Sequence, residues 1–333
     1  MAREQYRSRA LSGHGALSLV LVVFFGLALA GNAAFGDSSK EELLGHARYL
    51  ASDELAGRAV GTPGIDKARD YIAQRFKEYG LTPGGDSGTY FQELNVIKAR
   101  AQNVVGFVPG SDPKARGGSI VIGAHYDHIG LGTVGIRSTA QEGKIHNGAD
   151  DNASGTAVLL SLARRLSESQ EKIPRSVIFV AFTAEETGLY GSKQYVNYPT
   201  FPIEETIAMI NLDMVGRMRG NRLLVSGVDT AKEFRAWLNE AAKKLGLEII
   251  PDEQTVAEQG DHIPFYEENV PILFFFTDIH EDYHQPTDDW EKLNVEGMQM
   301  VRDLVLDLTR KIASERQPPT FIRRRSRPTR SDR

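Results

Sequence analysis

None of the 333 residues is a cysteine. That excludes disulfides, thiol nucleophiles and thiolate metal ligands, so any bound metal must be held by His, Asp and Glu. A chain of this size has core enough to fold without cross-links. The longest apolar stretch, ALSLVLVVFFGLALA at 16–30, has 15 residues, short of the ~20 that a membrane-spanning helix needs. The glycine patterns of phosphate-binding and dinucleotide-binding loops are missing, so Gly148, Gly155 and Gly188 are assigned to tight turns. No internal repeat and no linker divides residues 38–315. A basic body is lacking too. The net charge is −5, but the segment from Arg316 contributes +6 and the first fifteen residues +2, which leaves the body near −13. Such a body is a poor partner for nucleic acid.

The two ends are distinct from this body. Arg3, Arg7 and Arg9 precede the short apolar stretch, which closes on Ala28-Leu29-Ala30. A basic start, a short apolar middle and an A-x-A exit describe a secretory signal peptide over residues 1–33. Export to the periplasm or the medium follows, with no stable membrane insertion once the signal is removed. No cysteine is available for a lipid anchor. At the other end, residues 316–333 hold seven arginines, one acid and two adjacent prolines, and read as a basic disordered tail.

Between them, 38–315 reads as one domain. SKEELLGHARYLA (39–51) and GIDKARDYIAQRFKEYG (64–80) have helical spacing. The runs at 103–110, 118–126, 175–183, 206–213, 222–228 and 270–278 are strand-like, and several are apolar at consecutive positions, as in strands covered on both faces. Helices intervene, and the last, 294–314, carries Met298, Val301, Val305, Leu308 and Ile312 on one stripe. The alternation predicts an α/β fold, a three-layer α/β/α domain with a mixed, mostly parallel central sheet.

In such sheets, sites form beyond the carboxyl ends of the strands. His125-Tyr126-Asp127-His128 follow one apolar run, Glu185 and Glu186 a second, Asp213 a third and His284 a fourth. Asp150 and Asp151 stand in a glycine-rich turn that leads into a helix. Five strand-end or helix-start positions thus carry ligands suited to zinc or a similar divalent ion.

HYDH, NGADDNASGTA, FTAEETGLYGS, NLDMVGR, GDHIPF and YHQPTDD, in that order, closely resemble the secreted zinc-dependent aminopeptidases with two co-catalytic metals, metallopeptidase family 28. The resemblance runs from about residue 40 to 312 and includes the opening RYLASDELAGRAVGTPG. It implies two zinc ions per chain. His125 and Asp213 would hold one, Glu186 and His284 the other, and Asp150 would bridge them. It further implies that Asp127 orients the His125 imidazole and that Asp151 follows the bridge, with a cis peptide bond between Asp150 and Asp151. Two zinc ions carry +4, and three carboxylates with a hydroxide would balance them. Successive side chains of extended backbone point to opposite sides, so Glu186 would face the metal and Glu185 the substrate, as general base. Tyr283 would donate to the developing oxyanion, and Asp261 and His262 would belong to a loop around the substrate pocket.

The remaining histidines match no ligand of the family: His14 and His46 are read as structural or irrelevant, His128 and His146 flank the site, and His280 is the rival of His284. The leading expectation is an exported metallo-aminopeptidase acting on peptides with a free N-terminus. Carboxypeptidase, dipeptidase and glutaminyl cyclase activities stay open on the same fold, as does a binding module that has lost catalysis.

Overall fold

Three apolar runs organise the structure, a computed structural model that describes residues 38–95, 101–112, 118–132, 141–252 and 260–323. They form β4 (Ser119–His125), β5 (Val177–Phe182) and β6 (Thr206–Leu212), each buried along its whole length. Around them lie β1 (Thr82–Pro83), β2 (Phe91–Glu93), β3 (Gln102–Val108), β7 (Arg222–Ser226), β8 (Glu248–Asp252) and β9 (Ile272–Phe276). The sheet order is β1-β3-β5-β4-β6-β9-β7-β8, with β2 also paired to β3. The centre, β5-β4-β6-β9, is parallel; β3 joins β5, and β7 joins β9, in the antiparallel sense.

Period-two alternation decides which side chain serves which face. Val177, Phe179 and Ala181 of β5 enter one core, and Ile178, Val180 and Phe182 enter the other. The first core is covered by residues of the helix at 42–50 (α1), α2 (Pro63–Glu78), α3 (Gly155–Ser167), a helix at Phe234–Leu245 and one at Val295–Ser314. In chain order these last two are α5 and α7, since α4 (Tyr190–Asn197) and α6 (Ile263–Glu267) cover the second core through Tyr195, Val196, Phe265 and Tyr266. Helices therefore lie on both faces of the sheet. Each buried Phe contributes roughly 1.5–3 kcal/mol relative to exposure. At Gly123 of β4 a side chain would collide with the ring of Phe182, so glycine is what lets that ring pack. The stripe expected on the last helix is buried as read: Met298, Val301, Val305, Leu308 and Ile312 are at most 1% exposed.

A compact unit begins at Glu42. Residues 1–37, which include the expected signal peptide, lie outside the described residues, as do 324–333. Among the described residues no helix is long and apolar enough to cross a membrane. The first residues of the stretch read as a disordered tail are placed against the body. Ile322 donates its N–H to the Thr230 carbonyl (2.8 Å), Lys232 donates to that of Thr320 (3.0 Å), and the Phe321 ring packs 5.7 Å from Tyr266. The reading from composition weighed seven arginines and missed one aromatic side chain with a place to go.

Candidate metal centre

The parallel strands end side by side, with His125 opposite Phe182 and Leu212 opposite Phe275. What each strand carries just past its end therefore converges. His125 closes β4, and its Nε2 lies 3.2 Å from Asp151 Oδ1 and 3.3 Å from Asp213 Oδ1. His284 Nε2 lies 3.0 Å from Asp151 Oδ2 and 3.3 Å from Glu186 Oε2. Two donor groups result, His125-Asp151-Asp213 and His128-Asp151-Glu186-His284, and Asp151 belongs to both.

These residues fit zinc on three grounds. The donors are all His nitrogen and carboxylate oxygen, as zinc sites without cysteine require. The four separations match the ~3.3 Å edge of a tetrahedron whose metal–ligand arms are ~2.0–2.1 Å. Asp213 Oδ1 is buried and accepts no hydrogen bond among the described residues, a cost of a few kcal/mol unless a cation meets it. The electrostatics agree. Burial disfavours charge on both imidazoles, yet Asp213, Asp127 and Asp151 raise the pKa of His125 well above the ordinary histidine range. Hydrogen bonds to Asp151 and Glu186 push His284 up to about 10 against the same penalty. The pocket is a strongly negative field held in low dielectric, which favours any cation able to enter it.

The expectation for the bridge needs correction by one residue. Asp150, expected between the two metals, lies behind the site with no exposure. Its carboxylate accepts from the Gly216 N–H (2.6 Å) and the Ser154 hydroxyl (3.0 Å), and sits 3.1 Å from His280 Nε2. Asp151, expected beside the bridge, is the one that offers an oxygen to each group. The cis peptide bond is displaced likewise, to Asp151–Asn152 rather than Asp150–Asp151. The cause is the local frame. Asp288 Oδ2 accepts the N–H groups of both Asp150 (2.8 Å) and Asp151 (3.2 Å). Asn152 ties the turn to the end of β6 by donating to the Leu212 carbonyl (2.9 Å) and accepting from Met214 N–H (3.2 Å). Neighbouring acids are equivalent in a list of residues, and only these partners separate them.

Asp127 also departs from its expected part. Its carboxylate is 3.7 Å from His125 Nδ1, too far for a good hydrogen bond, and the nearer atom is its own carbonyl oxygen at 3.2 Å. The carboxylate instead accepts the backbone N–H groups of Glu185 (3.2 Å) and Glu186 (3.4 Å). It thereby holds the turn that carries both glutamates.

A cleft of about 160 Å³ opens over the centre, with Glu185, Glu186, Asp213 and Tyr283 on one part of its wall and Met214, Phe274, Phe276 and Ile279 on another. Glu185 is half-buried. Its carboxyl is raised well above the usual range by burial, which outweighs the opposing pull of His125, with Glu186, Asp261 and Asp213 adding to the rise. Tyr283 stacks on His284, with ring centroids 4.0 Å apart. The loop of Asp261 and His262 reaches the cleft through Gly260. His262 is buried and stacks on Phe274 at 4.7 Å, so it supports the wall without facing the cleft. Asp261 is fully buried, and burial pushes its pKa up to about 7. His280, the rival of His284, pairs with Asp150 and stands in neither donor group.

Residues missed from the sequence complete the site. The Arg58 guanidinium, with no exposure, donates to the carbonyls of Tyr126 (2.9 Å), Asn147 (2.6 Å), Gly148 (3.0 Å) and Leu50. Burial lowers its pKa to about 10, while Asp127, Asp151, Asp288 and Glu186 favour its charge. Asp288 and Asn152 were missed as well, and His128, read as flanking the site, was given no part in it. Arg58 lies in RYLASDELAGR, a stretch singled out only as a whole, and His128 stands in HYDH beside a ligand; neither pattern tells what the side chain touches.

Known proteins share this sequence pattern and this fold. The family model described as Peptidase family M28 matches residues 103–309. Aminopeptidase YwaD of Bacillus subtilis is 28% identical over 292 residues, covering 84% of this chain and 57% of that protein. The structure of the LapA aminopeptidase of Legionella pneumophila superposes with a TM-score of 0.70 at 21% identity, covering 86% of this chain and 75% of that one. A glutaminyl cyclase of Bacteroides thetaiotaomicron shares the fold too, with a TM-score of 0.63 at 17% identity over 81% of this chain and 97% of its own. The chain spans little more than half the length of the curated relatives it matches, and less in several. With a model that matches well over half of its length and the strand-end donors in place, the chain belongs to peptidase family M28.

Proposed function

We propose that the protein is an exported aminopeptidase that holds two zinc ions and removes the N-terminal residue of peptides. The observation that carries this reading is Asp151, whose two carboxylate oxygens address two separate donor groups. His125 and Asp213 would hold one ion, Glu186 and His284 the other, with Asp151 shared. Bound zinc supplies Lewis acidity, polarising a carbonyl and bringing the pKa of a water from ~16 towards ~7.

The protein's own groups do the rest. Glu185 faces the cleft with a raised pKa, which suits a carboxyl that must take up and surrender a proton near neutral pH. It takes a proton from the attacking water and passes it to the departing amine nitrogen. Glu185 and Asp213 give the cleft the negative charge that an α-ammonium group seeks. Met214, Phe274, Phe276 and Ile279 offer an apolar wall to the side chain of the first residue. The Tyr283 hydroxyl is the candidate donor to the oxyanion. Residues 1–33 would direct export, which N-terminal sequencing of the mature protein tests.

Turnover of leucyl-p-nitroanilide, lost with a chelator, restored by zinc and absent with the N-acetylated substrate, is the result expected. Equal cleavage of the blocked substrate would remove the aminopeptidase reading. Glu185→Gln should lower kcat at least a hundredfold, within the range general bases supply, while zinc content stays at the wild-type level. Loss of zinc instead would mean that the two glutamates have exchanged roles.

A further inference from the structure

His128 is neither among the ligands expected from the family nor exposed to a substrate. It is 1% exposed, and its Nδ1 lies 2.8 Å from Glu186 Oε1, on the carboxylate whose other oxygen, Oε2, faces His284 Nε2 at 3.3 Å. Its ring meets that of His284 edge-on, with centroids 5.5 Å apart and planes at 78°. The space for the ring is made by Gly148, where a Cβ would stand 2.5 Å from His128 Cδ2 and Cγ. Its backbone N–H is held by the Arg58 carbonyl at 3.3 Å. The imidazole is thus fixed from three directions and its backbone from a fourth, with one nitrogen aimed at a metal ligand.

Two roles fit a histidine in that position, and distance separates them. Two ligands of one zinc stand ~3.3 Å apart, the spacing found for His125 with Asp213 and for His284 with Glu186. The 2.8 Å from His128 Nδ1 to Glu186 Oε1 is shorter than that edge and is the length of an N–H···O⁻ hydrogen bond. The 3.8 Å from the same nitrogen to Asp151 Oδ2 is longer than the edge. Nδ1 is therefore the donor. His128 Nε2 is buried and has no hydrogen-bond partner among the described residues.

We propose that His128 is a positioning residue for the zinc held by Glu186 and His284. It ties down Glu186 Oε1, so that Glu186 presents Oε2 alone to the metal at a fixed angle. The inference rests on the two-zinc reading above. It adds an asymmetry between the two sites: on the Glu186 side a buried imidazole braces Oε1, the oxygen turned away from the metal, whereas the unpartnered Oδ1 of Asp213 is the oxygen that faces His125. The Glu186 site should hold its zinc more tightly and release it last to a chelator.

The test is equilibrium competition for zinc between the whole protein and a chromophoric chelator. The wild-type protein should bind two zinc ions, which checks the reading beneath the proposal. His128→Leu should weaken one site by ~10–100-fold, the range for partners that orient a metal ligand, and leave the other within threefold. His128→Asn places an amide N–H where Nδ1 stood and should restore that affinity to within about threefold. His128→Gln places its amide near the Nε2 position and should behave like the leucine variant. Circular dichroism on each variant separates these effects from misfolding. An unchanged leucine variant, or an asparagine variant as weak as leucine, overturns the proposal. So does X-ray absorption of the wild type that counts three imidazoles over two zinc ions rather than two, since His128 would then be a ligand. If the wild type binds one zinc, the two-zinc reading fails, and the order of the three variants on that zinc still decides the part played by His128.

Discussion

Adjacent aspartates with opposite duties provide a demanding test. Asp151→Asn removes the charge shared by the two donor groups, leaving one oxygen that can face one metal. Asp150→Asn changes a carboxylate whose contacts are all internal: the Gly216 N–H, the Ser154 hydroxyl and His280. Breaking a buried charge pair on one side costs ~3–5 kcal/mol, which at ~1.4 kcal/mol per decade is a hundred- to several-thousand-fold in affinity. Asp151→Asn should therefore lose zinc on dialysis against a weak chelator, and activity with it. Asp150→Asn keeps an acceptor for the Gly216 N–H and loses only the added strength of a charged one, so its cost of about 1–1.5 kcal/mol falls on folding. Its zinc content should match the wild type while its Tm drops by several degrees. Metal analysis after dialysis, paired with a thermal melt of each protein, reads both quantities. The opposite pattern, zinc lost from Asp150→Asn and kept by Asp151→Asn, would refute the assignment of the bridge.

Other outcomes follow from the same geometry. Arg58→Met leaves four carbonyls without their donor and should lower the free energy of unfolding by at least ~3 kcal/mol, as urea denaturation at fixed zinc would show; an unchanged midpoint would mean that the guanidinium is idle. Asp261 has a folded pKa of about 7, above the ~3.9 of an unfolded aspartate. The folded protein therefore binds the extra proton between those values, and stability falls as pH rises from about 4 to 7, by up to ~4 kcal/mol. Asp261→Asn should flatten that dependence, with its largest gain above pH 7; parallel curves for the two proteins would contradict it. Phe276→Ser should reduce kcat/KM for leucyl substrates by roughly tenfold or more relative to alanyl ones, since the apolar wall discriminates by contact.

What could be read from the sequence follows from how far its causes reach along the chain. The runs of β4, β5 and β6 and the stripe of α7 are set by local periodicity, and they lie where that periodicity puts them. β8 escaped because EIIPD offers two adjacent apolar residues followed by Pro251, which suits an edge strand and little else. β1 and β2, at two and three residues, are shorter than any pattern can register. His125, Glu186, Asp213 and His284 were found because each follows an apolar run. The choice between Asp150 and Asp151 could not be made that way. It depends on Asp288, 138 residues from Asp150 along the chain, and on Asn152 reaching Leu212, 60 residues away. Arg58 was missed, and His128 was placed beside the site without a part in it, for the same reason: their partners are 68 to 90 residues off for three of the Arg58 bonds and 58 residues off for His128.

The turn that presents Asp151 is braced by Arg58 from one direction along the chain and by Asp288 from the other. During synthesis the ribosome delivers Arg58 and both aspartates early, but the acceptor for their two backbone N–H groups arrives 138 residues after Asp150. A nascent or truncated chain that stops short of Asp288 has Glu185 and most of the candidate metal donors without the anchor that sets their shared carboxylate. The geometry of the shared carboxylate is therefore fixed only once the chain has reached Asp288.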